Sequence, residues 1–163
     1  MHKIFVYGTL KTGQPNHHWL QNENNGIQRK LDGLFFTKSK FPMVLDTPWN
    51  IPFLIDHENF GKSIYGEVYE VDDLMLSKLD ILEGYPKWYD RKTIQVEQSG
   101  SVSEAQVYLL NNVDHDKFLK RYKGRHLLLN NFDAKLVDYV PPEKRPTNYR
   151  EVSLSILECL KSD

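Results

Sequence analysis

Short apolar stretches, alternating or continuous, occupy the first two-thirds of the chain and predict β-strands. The clearest is IYGEVYEV at 64–71, in which Gly66 indicates a bulge or a close approach of another group to the backbone. Six further runs rich in β-branched and aromatic residues lie at 3–7, 31–37, 41–46, 53–56, 91–98 and 105–110. Many short strands without a regular strand–helix alternation predict an α+β fold, a small mixed or antiparallel β-barrel with a few flanking α-helices.

One helix is well defined by its cap, its apolar spacing and its end. Asp72 or Asp73 can cap it, and apolar residues at helical spacing fill it as far as Leu82. Gly84 and then Pro86 end it, because glycine adopts the left-handed conformation of a helix C-terminus and proline cannot continue a helix.

The last third of the chain is less regular. A second helix with an aspartate cap is predicted over 114–123, and the proline-rich stretch 130–146 is predicted to be irregular. The final segment, 150–161, suits an amphipathic helix, although its VSLSI sequence also suits a strand.

Composition and charge indicate an ordinary globular protein. With 163 residues, 40% hydrophobic and 26% charged, the chain is expected to form a single domain over 1–163. A formal net charge of −1 gives no reason to expect binding to nucleic acid or to an anionic membrane, and the basic cluster at 117–125 suits a solvated helix face. One cysteine, no secretion signal and no transmembrane-length apolar run predict a location in the cytoplasm. The sequence carries no signal for oligomeric state, and a monomer is the default expectation.

Metal and nucleophile motifs are not indicated by the sequence. His17 and His18 are adjacent and point to different faces, so they cannot chelate one metal together. Three other histidines have no acidic or thiol neighbour at ligand spacing: His57, His115 and His126. Cys159 lies in an apolar setting and is expected to be a buried, inert thiol. We therefore expect no metal and no cofactor.

Glu83 stands out because it shares the apolar face of the predicted helix. At about 100° per residue it falls between Leu76 and Leu79, whereas an ordinary surface carboxylate would lie on the polar side with Asp80. It also lies in the last turn, where the helix dipole disfavours negative charge, so its pKa should be raised toward that of a general acid or base. The alternative is a carboxylate beyond the helix end that is solvated or bonded to a backbone N–H.

A glycine-containing turn, Tyr7-Gly8-Thr9-Leu10, directly follows the first predicted strand. Where a strand ends in such a turn, consecutive backbone N–H groups can converge on a carboxylate or on a developing oxyanion. Gly8 would permit unusual dihedral angles and a close approach of a ligand. An ordinary tight turn is the alternative, and these four residues alone do not decide between the two.

Taken together, these segments resemble the γ-glutamyl cyclotransferase-like superfamily, which includes the AIG2-like proteins. The segments that carry the resemblance are FVYGTLKTGQPNH (5–17), FPMVL (41–45), NIPFL (50–54), YGEVYEVD (65–72) and LDILEGYPKWYDR (79–91). The Lys-x-Gly-Gln-Pro-Asn-His pattern at 11–17 narrows the resemblance to the γ-glutamylamine branch. The chain beyond about residue 111 matches that branch poorly, and its C-terminal segment, about 125–163, is divergent.

The resemblance implies a small β-barrel with flanking helices and a cavity at one end. Glu83 is implied as the catalytic general acid and base. The implied substrate-binding residues are Tyr7, Gly8, Thr9, Leu10 and Tyr89. Arg91 is implied near the pocket and is equally consistent with a structural ion pair.

The implied reaction releases 5-oxoproline and a free amine from a γ-glutamyl amine, which in this branch is ε-(γ-glutamyl)-lysine, an isopeptide left by degradation of crosslinked proteins. The substrate's own α-amine attacks the γ-carbonyl, so neither water nor a metal nor a cofactor is consumed. Two alternatives stay open. One is a cyclotransferase for other γ-glutamyl amino acids or peptides, and the other is a non-catalytic binding module on the same fold.

Overall fold

The computed structural model describes residues 1–122 and 129–162. The strands are β1 (His2–Val6), β2 (Gln28–Lys30), β3 (Phe35–Thr37), β4 (Met43–Leu45), β5 (Pro52–Leu54), β6 (Tyr65–Val71), β7 (Tyr89–Gln98) and β8 (Ser101–Leu110). The α-helices are α1 (His18–Gln21), α2 (Asp73–Glu83), α3 (His115–Tyr122) and α4 (Tyr149–Glu158). Two short 3₁₀ turns cover Glu23–Asn25 and Pro142–Lys144.

Five of the strands close into a ring in the order β1-β8-β7-β3-β6, with β6 pairing back to β1. The pair β1–β8 is parallel and the other ring pairs are antiparallel, so the barrel is mixed. The short β2 pairs with β6 beside β3, and β4 and β5 form a separate two-stranded hairpin. This architecture confirms the predicted α+β fold with a small mixed barrel.

Glycine is important at two places in the barrel. At the β7–β8 turn, Ser99 and Gly100 have φ values of 49° and 82°, as a tight hairpin turn requires. At Gly66 in β6, an added Cβ would lie 2.3 Å from the ring of Phe5, so only glycine allows β1 and β6 to pair at this point. The close approach expected at Gly66 is therefore confirmed.

Strand β1 is held from both of its faces. Ile4 and Val6 join a buried cluster that includes the apolar face of α2, whereas Phe5 and Tyr7 join a second cluster with residues of β4 and β8. All four side chains are almost fully buried. Because the strand is packed on both sides, the turn that follows it has a fixed position relative to α2.

Helix α2 begins and ends where the sequence predicts. The Asp72 side chain accepts a hydrogen bond from the Met75 amide at 2.8 Å, and Gly84 adopts the left-handed conformation with φ 72°. The sequence predicted that Asp80 lies on the polar, solvated face of the helix, and this prediction was wrong. The carboxylate is half-buried and accepts hydrogen bonds from Arg91 and Tyr108.

The C-terminal third differs from the sequence prediction in two ways. Tyr149–Glu158 is helical, which settles the choice between helix and strand for the VSLSI sequence. Cys159 is exposed and not buried, because α4 ends at Glu158 and the inward positions are taken by Leu157 and Leu160. The predicted helix at 114–123 is α3, and Lys123, Arg125 and His126 lie outside the described residues.

Candidate active site

A cavity of about 320 Å³ opens where the end of β1, the end of α2 and the C-terminal segment meet. This volume is in the range of small-molecule sites. The structure brings to its wall every site residue that the sequence indicates, namely Tyr7, Gly8, Thr9, Leu10, Glu83 and Tyr89. Their roles in binding and catalysis stay predictions.

In the loop at 7–10, the carbonyl groups of residues 8–10 have protein partners, whereas the amide groups of the same residues have none in the described part of the chain. The carbonyl oxygens of Gly8, Thr9 and Leu10 accept hydrogen bonds from the Lys11 amide, the Asn16 amide and the His17 ring, at 3.3, 2.8 and 3.0 Å. Within residues 1–122 and 129–162, the amides of residues 8–10 donate to no protein acceptor. These N–H groups are therefore available to an acceptor in the cavity.

Gly8 is required for space rather than for an unusual dihedral angle. Its φ lies outside the left-handed region, so the backbone freedom expected from the sequence is not used. A Cβ at this position would lie 2.9 Å from Pro52 Cγ, which is too close without a shift of one of the two segments. Glycine therefore allows the loop to pack directly against β5.

Asn16 and His17 are positioning residues that the sequence reasoning missed. The Asn16 side chain donates to Thr9 Oγ1 at 3.0 Å, in addition to its backbone bond to the same residue, and Asn16 also lines the cavity. His17 donates from Nδ1 to the Leu10 carbonyl. A signal was present, because polar residues follow a tight turn at a spacing that lets them hydrogen-bond back to its carbonyls.

Glu83 is the last residue of α2, and its side chain is half-buried at the cavity wall. Burial raises the pKa of this carboxyl group from 4.5 to about 7, and the positive charge of Arg150 opposes that rise. Both the carboxylate and the carboxylic acid are then well populated near neutral pH. A group in that state can accept a proton in one step and return it in the next.

Two buried tyrosines face Glu83 and keep their hydroxyl protons. Burial, and then the nearby Glu83 charge, raise the pKa of Tyr7 far above its usual value. Burial also raises the pKa of Tyr89, with further contributions from Tyr7 and Glu83. The Tyr89 ring stacks on Phe53 with 6.4 Å between centroids, which fixes its orientation at the cavity wall.

Arg91 belongs to a structural ion pair and not to the cavity. Its Nη1 donates to both carboxylate oxygens of Asp80 at 3.1 Å, and Tyr108 donates to the same carboxylate at 2.6 Å. Arg91 does not line the cavity in the described part of the chain. The open choice for this residue is therefore decided in favour of the ion pair.

The far wall of the cavity comes from the C-terminal segment, which the sequence reasoning left without a role. Four residues contribute to it: Arg145, Tyr149, Arg150 and Ser153. Their only signal in the sequence is two arginines and a tyrosine around the start of the last helix, and that pattern is common on exposed helices.

Residues 1–122 and 129–162 contain neither a metal-binding cluster nor a helix that could span a membrane. No group of three His, Cys, Asp or Glu side chains in those residues is arranged to hold a metal ion. His57 and His115 contact each other at 2.8 Å between ring nitrogens. None of the helices in the described ranges is long and apolar enough to cross a membrane.

Comparison with known proteins places this arrangement among enzymes of one kind. Residues 4–128 match the family described as "Gamma-glutamyl cyclotransferase, AIG2-like". A Danio rerio protein named Gamma-glutamylaminecyclotransferase C is 46% identical over 121 residues, 71% of this chain and 79% of the relative. A Drosophila melanogaster protein, provisionally named a gamma-glutamylcyclotransferase, is 45% identical over 152 residues, 92% of this chain and 87% of the relative. The crystal structure of an AIG2-like protein from Mus musculus has a TM-score of 0.75 at 33% identity, covering 89% of this chain and 99% of that one.

Proposed function

The chain belongs to the AIG2-like gamma-glutamyl cyclotransferase family, and from this premise we propose that it is a γ-glutamylamine cyclotransferase. One observation carries the proposal: a single cavity is lined both by Glu83, whose carboxyl group has a pKa of about 7, and by a loop whose amides at 8–10 have no protein acceptor in the described part of the chain. The substrate is a γ-glutamyl amine, with ε-(γ-glutamyl)-lysine as the proposed member. The products are 5-oxoproline and the free amine, here lysine.

In the proposed first step, the substrate's α-amine attacks its own γ-carbonyl carbon. The α-ammonium group must first lose a proton, and the Glu83 carboxylate accepts it. The C–N bond that forms closes a five-membered lactam and converts the carbonyl into a tetrahedral oxyanion. Because both reacting groups belong to one molecule, holding the substrate in a folded conformation supplies several kcal/mol of the barrier reduction.

In the second step the tetrahedral intermediate collapses and the bond to the leaving amine breaks. Glu83, now a carboxylic acid, returns the proton to the departing nitrogen, so that the carboxylate is regenerated. After ring closure the attacking nitrogen still carries one surplus proton, which also passes to the leaving amine through Glu83. The lactam is then neutral, the amine departs as an ammonium ion, and atoms and charges balance without water, metal or cofactor. A carboxyl group with a pKa near neutrality suits both proton transfers, because neither form is strongly disfavoured.

The 7–10 loop provides the donors that bind the anionic part of the substrate. Its amide groups at 8–10 lack protein acceptors among the described residues, and residues 8–10 line the cavity together with Glu83. Such donors stabilise either the α-carboxylate of the γ-glutamyl unit or the oxyanion of the intermediate. Tyr7 and Tyr89 remain protonated hydroxyl donors on the same wall.

The proposal is tested by incubating the purified protein with ε-(γ-glutamyl)-lysine and quantifying 5-oxoproline and lysine. Equal amounts of the two products are expected. A panel of γ-glutamyl-alanine, glutathione and other γ-glutamyl amines, assayed in parallel, determines the leaving group. Preference for γ-glutamyl α-amino acids would replace the proposal with the first alternative. Tight binding of 5-oxoproline without turnover of any panel member would support the non-catalytic binding module.

We also propose that residues 1–163 act as one domain, as a monomer in the cytoplasm. Leu157 and Leu160 of the C-terminal segment pack in the same buried cluster as Ile4 of β1, which supports a single domain. The exposed, unpaired Cys159 suits a reducing compartment. Light scattering of the purified protein, with and without a reductant, measures its oligomeric state.

A further inference from the structure

The charged residues around the cavity are unevenly placed. Glu83 is the one acidic side chain among the described lining residues, whereas Arg145 and Arg150 contribute two positive charges from the C-terminal segment. The proposed proton transfers use Glu83 and leave both arginines without a function. A γ-glutamyl amine formed from an amino acid carries a carboxylate on each of its two halves, and the proposed function assigns the donors of the 7–10 loop to the γ-glutamyl half.

Arg145 is held in place by contacts that leave part of its guanidinium group unused. Its Nε donates to the Val140 carbonyl at 2.7 Å, and its guanidinium carbon lies 5.0 Å and 4.7 Å from the ring centroids of Tyr139 and Tyr149. Its Nη2 is buried, and within residues 1–122 and 129–162 it has no hydrogen-bond partner. A buried charged donor without an acceptor is costly, and Arg145 also lines the cavity, so an anion bound there would offset part of that cost.

Arg150 is more exposed and is held more loosely. Its Nε donates to the Tyr149 hydroxyl at 3.3 Å, and its charge is close enough to Glu83 to affect that carboxyl group. The two arginines therefore flank Tyr149 at the cavity wall. A fixed planar guanidinium with a second cation beside it is the arrangement that binds carboxylates well in proteins.

We propose that Arg145, assisted by Arg150, forms a subsite that binds the carboxylate of the leaving amine. This inference rests on the proposed function and assigns the substrate class: γ-glutamyl amines whose amine half carries an acid group distant from the scissile bond. The γ-glutamyl half lies against the 7–10 loop and Glu83, and the amine half extends toward α4. Simple alkylamine conjugates lack the second carboxylate and are poor substrates.

The subsite is tested with two substrates that differ in one group, ε-(γ-glutamyl)-lysine and ε-(γ-glutamyl)-lysinamide. The wild-type protein is expected to have a kcat/KM at least about tenfold higher for the carboxylate, mainly through KM. Arg145→Gln should reduce that ratio to near one by slowing only the lysine substrate. The matched control is Lys144→Gln, which removes the same charge from an exposed neighbouring residue and should leave the ratio unchanged.

A binding measurement separates failure of the subsite from failure of the proposed function. Titration calorimetry of both ligands with Glu83→Gln and with Glu83→Gln/Arg145→Gln tests discrimination without turnover. Arg145-dependent preference for lysine supports the subsite even if the wild-type protein releases no 5-oxoproline. Turnover with an equal loss on both substrates in Arg145→Gln would overturn the subsite, because Arg145 would then contact the half that the two substrates share. Near-UV circular dichroism checks that each variant is folded, and Arg145→Lys, which keeps the charge, should retain part of the preference.

Discussion

The two walls of the cavity present different kinds of chemical group. The wall formed by residues 7–10 and Glu83 lies within the region that matches the family, and it offers backbone amides and one carboxyl group. The opposite wall, with Arg145 and Arg150, lies outside that region and offers charged side chains. In the proposed mechanism, the steps common to all γ-glutamyl amines use the first wall. In the proposed subsite, the choice of leaving group depends on side chains that can change without altering the barrel.

The strongest test of the first wall is Glu83→Gln. If Glu83 transfers both protons, this substitution should lower kcat for 5-oxoproline formation by about 10³-fold or more, because glutamine keeps the shape but can neither accept nor return a proton. The measurement is product formation by a protein shown to be folded. The control is Asp73→Asn, an exposed carboxylate at the opposite end of α2, which should retain near wild-type turnover. Substantial turnover by folded Glu83→Gln would exclude the assigned role.

The same substitution should stabilise the protein at high pH. In the native state the pKa of Glu83 is about 7, and an unfolded glutamate ionises near 4.5, so native stability falls as pH rises between these values and stays low above them. Each pKa unit corresponds to 1.36 kcal/mol, so Glu83→Gln should raise the free energy of unfolding by about 3 kcal/mol at pH 8. Below pH 4.5 the two proteins should be nearly equal. Urea unfolding at both pH values measures this, and a difference independent of pH would contradict the assigned burial of charge.

A smaller effect is expected when the loop itself is displaced. Gly8→Ala places a Cβ about 2.9 Å from Pro52 Cγ, so the amides should move by a few tenths of an ångström and kcat/KM should fall roughly tenfold. The double variant Gly8→Ala/Pro52→Ala removes the clashing Cγ and should recover most of the activity. A double variant that is no better than Gly8→Ala would show that the loop depends on glycine for another reason.

The smallest expected effect is electrostatic and acts between Arg150 on one wall and Glu83 on the other. A profile of kcat/KM against pH should rise with a midpoint near pH 7. The base form of Glu83 is required, and burial raises the pKa of this group to about 7. Arg150 lowers the pKa of Glu83, so Arg150→Gln should move the midpoint of the kcat/KM profile to higher pH. Lys144→Gln serves again as the control and should leave the midpoint of the kcat/KM profile unchanged. An unchanged midpoint in Arg150→Gln would show that Arg150 does not affect the ionisation of Glu83, and would contradict the expected electrostatic link between the two walls.

Most of the barrel could be predicted because its strands carry strong local signals. The β6 and β7 patterns, the Asp72 cap and the Gly84 end of α2 all depend on neighbouring residues in the sequence. The three-residue strand β2 was not predicted, because Gln28–Lys30 is polar and is a strand only through its pairing with β6. Helix α1 is a single turn, and a segment that short has no readable period.

Within the site, the sequence indicates those residues whose type is unusual for their position in a helix or strand. Glu83 on an apolar helix face and Gly8 directly after a strand are residues of this kind. Arg145 and Arg150 are not, because arginine beside an exposed helix is ordinary until the fold brings it to a cavity. The same holds for Asp80, whose burial depends on Arg91 and Tyr108 from two distant strands.

The hydrogen bonding of the carbonyls at 8–10 has a consequence for the conditions under which the protein works. With those oxygens held by Lys11, Asn16 and His17, the loop presents its amide dipoles in a constant orientation. Such dipoles carry no titratable proton, and the counterions of the solvent neutralise them far less than they do an exposed charge. Affinity for the γ-glutamyl half should therefore persist in high salt, while discrimination at the arginine wall weakens, so that the enzyme becomes less selective as ionic strength rises.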